Sequence, residues 1–110
     1  RLGLSAPTVG ALAELLVATD LLRRGYEVFR SLSPSASCDL AILNSQGLRR
    51  VEVRTGYRTL GGNVHVSKHG HYDLFAVVMH DTNQIVYEPP LEDRVVTHAS
   101  VLEEAPLLPA

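Results

Sequence analysis

The chain has 110 residues, 45% apolar and 20% charged, which is the composition of one small domain around one core. With 10 basic against 12 acidic groups the formal net charge is -2, so a uniformly basic nucleic-acid coat is excluded. Cys38 is the only cysteine, which excludes an intrachain disulfide, and no apolar run approaches the ~20 residues needed to span a bilayer. A reducing, cytoplasmic setting with no membrane contact is the expectation.

Charge is spread unevenly. Beyond residue 90, Glu92, Asp93, Glu103 and Glu104 stand against Arg94 alone, which leaves a slight basic excess in the first ninety residues. Nearly every cation is arginine, the side chain suited to bidentate phosphate contacts, and Lys68 is the one lysine. The core domain is expected over residues 1–90, with 91–110 as an acidic, proline-containing extension and the natural place for an oligomer contact.

Ser5, Pro7 and Thr8 precede Val9, Leu12, Ala13, Leu16, Leu21 and Leu22 at helical spacing, and Gly25 supplies a stop, so a helix is predicted from Pro7 to Arg24. Tyr26 to Leu32 reads as a first strand that ends in the loop residues Ser33, Pro34 and Ser35. Asp39 to Leu43 and Leu48 to Tyr57 flank Asn44, Ser45, Gln46 and Gly47, the pattern of a β-hairpin. Gly61, Gly62 and Asn63 form the next turn, leading to Val64 to Ser67. Leu74 to Met79 is a continuous apolar run of the buried-strand type, and after the turn Asp81 to Gln84 comes a last strand, Ile85 to Glu88. His98 to Ala105 has the length for one or two helical turns. One helix followed by mostly antiparallel strands predicts an α+β fold.

The hairpin carries the chemistry. With a loop of two residues or of four, symmetric pairing sets Asp39 opposite Glu52 on one face, Cβ atoms ~5 Å apart. Facing carboxylates repel unless a cation lies between them or one is protonated, and a hard divalent ion such as Mg²⁺ suits the oxygens. Alternation puts Arg54 on the face of Glu52, with Val51 and Val53 opposite. The blander reading is a solvated strand with ordinary surface charges. Glu14 lies in a stretch where Leu12, Leu16, Val17 and Ala18 leave little polar face, and an enclosed carboxylate wants a partner. An arginine such as Arg54 or Arg58 would serve. Gly10, one turn earlier, would admit another backbone or a phosphate.

Together, Glu14 on the helix, Asp39 at a strand start and Glu52-Val53-Arg54 on the next strand resemble the PD-(D/E)-X-K nuclease superfamily. The segments 10–14, 22–28, 38–42, 51–55 and 72–77 are similar to group I intron-type endonucleases, and more distantly to archaeal Holliday junction resolvases. The resemblance implies a restriction-endonuclease-like fold, the N-terminal helix packed on a mixed, mostly antiparallel sheet. It also implies hydrolysis of DNA phosphodiesters with Mg²⁺ or Mn²⁺, held by Asp39, Glu52 and the Val53 carbonyl with help from Glu14. Arg54 stands where the family has lysine, and Cys38 where it has proline. An arginine stays protonated and cannot act as a base, though it can stabilise developing charge. Its guanidinium could also bridge Asp39 and Glu52 in the metal's stead.

Tyr57, Arg58, Lys68 and Asn63 follow the acidic patch and are candidates for phosphate contacts. His65, His69 and His71 read as polar loop residues, and Asp73 as a residue that orders a turn. The function expected is a metal-dependent DNA endonuclease, acting as a homodimer or higher homo-oligomer. The alternative is a catalytically degenerate nuclease-fold module that binds DNA or a protein without cleavage.

Overall fold

A computed structural model describes residues 3–33, 38–58, 64–65, 72–79 and 81–91, with backbone alone at 58, 64 and 65. Its elements are α1 (Ala6–Arg23), β1 (Glu27–Arg30), β2 (Leu40–Asn44), β3 (Gly47–Arg58), β4 (Val64–His65), β5 (Leu74–Met79) and β6 (Ile85–Glu88). The expected turn at Gly61 to Asn63 and the expected helical turns at His98 to Ala105 lie outside the described residues.

Local chemistry fixes the ends of α1. The Ser5 hydroxyl accepts from Thr8 N at 3.4 Å, and Pro7 occupies the first turn, where a missing N–H costs nothing. At the other end Gly25 takes φ 98°, donates to Leu22 O at 3.0 Å and lets Tyr26 N reach Leu21 O at 3.2 Å. This double closure satisfies carbonyls the helix would otherwise orphan, and it needs a residue at ease with positive φ.

The sheet runs β1-β2-β3-β5-β6, with β4 paired to the far end of β3. Every pairing is antiparallel except β3 with β5. The fold is therefore α+β, one helix on a mixed sheet. The parallel pair needs a crossover, which the chain between β3 and β5 supplies.

α1 buries Ala13, Val17 and Leu21 against Leu40, Ile42, Val51, Val53, Leu74, Ala76 and Val78. This corrects the helix face inferred from the sequence: Leu12, Leu16 and Leu22, expected to pack, are exposed, as is Leu15. Apolar residues ring the helix, so its spacing does not single out one face, and the smaller Ala13 and Val17 allow the closer approach to the sheet. β5 is buried on both sides, as its unbroken apolar run predicts. Leu74, Ala76 and Val78 face the helix cluster, while Phe75, Val77 and Met79 form a second cluster with Tyr72 and Val86. β1 is shorter than the stretch read from the sequence because only four of its residues pair with β2, and it forms an edge with Phe29 exposed. Among the described residues no helix is long and apolar enough to cross a membrane.

Candidate active site

The hairpin register decides what meets what. β2 and β3 pair Leu40 with Val51 and Asn44 with Gly47 around the two-residue turn Ser45-Gln46, the register of the symmetric pairing, and this ladder stops one residue short of Asp39 and Glu52. Gly47 takes φ 112°, which eases the chain out of the turn. β2 ends at Leu40 while β3 continues to Arg58. Past that point the edge of β3 has lost its partner strand.

Side chains finish the hydrogen bonding there. Asp39 Oδ2 accepts from Val53 N at 2.9 Å, and Arg54 Nη1 donates to Val53 O at 2.9 Å. The Asp39 backbone is held by its own bond to Val51 O at 3.2 Å and by Ser31 N at 3.4 Å. Unpaired backbone polar groups in a half-buried place are costly, so both caps have a structural value of their own.

Glu52 projects from the same face as Arg54 and is 6% exposed, the one charged residue in the core among the described residues. Its Oε2 contacts Arg54 Nη1, and Asp39 Oδ2 lies 3.6 Å from the same nitrogen. Thus Asp39, Glu52 and the Val53 carbonyl, the oxygens expected to hold a metal ion, surround one cationic nitrogen.

Glu14 comes to this place from α1. It is half-buried and lines, with Gly10, Ala13, Asp39, Val53, Arg54 and Thr55, a cleft of ≈ 530 Å³. Burial raises its pKa above the usual carboxylate value, and Asp39 and then Glu52 push the same way against the opposing pull of Arg30. Its ion-pair partner is Arg30, Nε to Oε1 at 4.0 Å, rather than the Arg54 or Arg58 anticipated from the sequence. β1 reaches it because that strand lies beside β2 at the cleft. Among the described residues no three of the side chains His, Cys, Asp and Glu converge on one ion-sized point, so Glu14 stands near the Asp39–Glu52 pair without joining it. Gly10 meets no close backbone: a Cβ there would find nothing within 4 Å, only the open cleft. Thr55, which the sequence reading did not single out, is part of the wall. Its place one residue past Arg54 on β3 was the available signal.

Of the candidate phosphate contacts, Tyr57 is exposed on β3 beside β4. The Arg58 side chain, Asn63 and Lys68 lie outside the described residues, as do the side chain of His65 and all of His69 and His71. Asp73, expected to order a turn, instead ties the start of β5 to β3. It is bound to Arg50 by bonds of 2.8, 3.0 and 3.2 Å and sits at the opposite end of the β3–β5 pairing from Gly56.

The fold is shared with an enzyme of known structure. The bacterial homing endonuclease I-Ssp6803I superposes over 76% of this chain and 68% of its own, with a TM-score of 0.60 and 17% sequence identity. At that identity the likeness concerns the architecture alone: the two chains share the α+β arrangement of one helix on a mixed sheet. Comparison with protein-family models and with curated proteins gives no match.

Proposed function

We propose that this chain is a metal-dependent DNA endonuclease of the PD-(D/E)-X-K type. The observation that carries the reading is the meeting of Asp39 Oδ2, Glu52 Oε2 and Val53 O at the Arg54 guanidinium, a side chain that borders an open cleft together with Asp39 and Val53. The donor set is carboxylate and carbonyl oxygen, the hard chemistry that suits Mg²⁺ or Mn²⁺, and those three residues would hold the ion. When bound, the ion supplies Lewis-acid stabilisation of charge on the phosphoryl group.

The chain's own residues do the rest. Glu14, with its raised pKa, is poised to take a proton from attacking water in the cleft. The Arg54 guanidinium stabilises negative charge on the phosphate as it develops, in the place of a lysine. Asp39 fixes the strand end through Val53 N, so the two carboxylates keep their spacing. Tyr57, Arg58, Asn63 and Lys68 would contact the DNA backbone. A homodimer, with contacts from the segment that starts at Leu91, would bring two sites to two strands; sedimentation with and without DNA tests it, and a monomer in both would remove it.

The test is nicking of supercoiled plasmid DNA in Mn²⁺ by the wild type, Glu52→Ala and Glu14→Gln. Nicking by the wild type alone is the result expected. A second reading has its own support in the contacts of Arg54, which satisfy the acidic pair without a metal: a module that binds DNA and does not cut it. Binding that falls steeply with salt, without nicking, would select it.

A further inference from the structure

Three oxygens from three residues meet at a single nitrogen. Arg54 Nη1 donates to Val53 O at 2.9 Å, lies 3.6 Å from Asp39 Oδ2 and contacts Glu52 Oε2. Glu52 is buried, and a buried carboxylate without a counter-charge is strongly unfavourable. The protein therefore carries its own cation to the point where the acidic pair needs one. A guanidinium and a divalent ion cannot share that point, because both are positive and the same oxygen lone pairs would have to serve each.

We infer that Arg54 is a built-in competitor for the divalent cation: its guanidinium fills the cation's place in the metal-free protein and must move out before an ion enters. The inference rests on the part of the proposed function that has Asp39, Glu52 and the Val53 carbonyl hold a divalent ion, and not on cleavage. There is room for the movement, since the Arg54 side chain is 28% exposed and borders the ≈ 530 Å³ cleft. Apparent metal affinity is then the intrinsic affinity reduced by the small fraction of molecules whose guanidinium is away.

The experiment is Mn²⁺ binding to the full chain, by calorimetry and by loss of the free-ion resonance signal, for wild type, Arg54→Met and Arg54→Lys. Arg54→Met keeps the length of the side chain and removes its charge, and is expected to bind Mn²⁺ at least about tenfold more tightly than wild type. Arg54→Lys should fall between them, because its shorter ammonium is a poorer match to three oxygens. Thermal melting gives a second readout: Arg54→Met should melt lower than wild type without metal and gain more from Mn²⁺. Where Arg54→Met folds only with Mn²⁺, that dependence supports the competition. Where it does not fold at all, Arg54→Lys decides, tighter binding supporting the inference and unchanged binding overturning it.

Binding by Arg54→Met no tighter than wild type overturns the inference. Plasmid nicking in the same samples separates it from the nuclease reading. Tighter binding with no nicking by any protein sinks the nuclease and leaves the competition standing, whereas nicking by wild type with unchanged affinities does the reverse. Absence of Mn²⁺ binding by all three overturns both.

Discussion

Asp73 accepts three hydrogen bonds from Arg50, two of them from the guanidinium and one from the backbone, and returns a fourth from its own N–H to Arg50 O at 2.9 Å. The pair sits one residue before Val51 meets Leu74, so it locks the register in which β5 lies parallel to β3. That register sets Glu52 beside Phe75 and Arg54 beside Val77, and hence the backdrop of the acidic pair.

The Arg50 side-chain hydrogen bonds, and then its backbone one, hold Asp73 down to a pKa of about 2. Its folded value is below its unfolded one, so the stability it contributes is complete above the ordinary carboxylate range and lost as pH falls through about 2. Both side chains are substantially exposed, which limits the effect. Asp73→Asn should cost about 0.5 to 1 kcal/mol in urea unfolding at pH 7 and nearly nothing near pH 2.

Glu14 has the opposite sign. Its folded pKa is raised, so its contribution is most favourable below the unfolded value and is lost as pH rises through the folded one. The ionised form is a liability at neutral pH. Glu14→Gln should raise stability by a few tenths, about 0.3 kcal/mol, at pH 7 and by nothing at pH 3, measured as melting temperature against pH, since the side chain is partly solvated. The same variant should lose nicking, so stability and activity move apart.

Removing the buried carboxylate strands the arginine. Glu52→Gln removes the nearer of the two negative charges at Arg54, leaving Asp39 as its counter-charge, and should destabilise the metal-free chain by about 2 kcal/mol, less than a fully enclosed pair would lose. Calorimetry should show no Mn²⁺ uptake.

Gly10 lies in α1 with open space where a side chain would go. Gly10→Ala should stabilise the helix by about 0.5 to 1 kcal/mol in urea unfolding. Gly10→Phe should fill the cleft and abolish nicking while leaving the far-ultraviolet dichroism of the fold unchanged.

Tyr87 provides a control remote from the cleft. Its hydroxyl donates to Asp20 Oδ2 at 2.6 Å, and Arg24 binds the same oxygen at 2.9 Å while lying over the Tyr87 ring. Burial, followed by this bond, lifts the phenol well above its ordinary pKa. Tyr87→Phe should cost about 1 kcal/mol in urea unfolding and leave Mn²⁺ binding untouched.

The hairpin register was legible in the sequence because loops of two and of four residues share one pairing, which the structure shows from Leu40 with Val51 to Asn44 with Gly47. β5 was legible because only a strand covered on both faces is apolar at six successive positions. The face of α1 was not, since Leu12, Leu15, Leu16 and Leu22 compete with Ala13, Val17 and Leu21 for the interior, and which set is buried depends on how the helix lies on the sheet. Nor was the partner of Glu14, because Arg30 reaches it only once β1 lies beside β2, a contact between elements that no local pattern encodes. The bridging of Asp39 and Glu52 by Arg54 was foreseeable from spacing, but the role of the Val53 backbone depends on where β2 stops.

β2 has five residues and β3 has twelve. Were the shorter strand extended, its backbone would take up the Val53 amide and carbonyl, and neither Asp39 nor Arg54 would have a reason to turn toward that edge. The difference in strand length is therefore what turns Asp39 and Arg54 toward the Val53 backbone: a two-residue insertion that prolonged β2 would take that partner from both without altering either side chain.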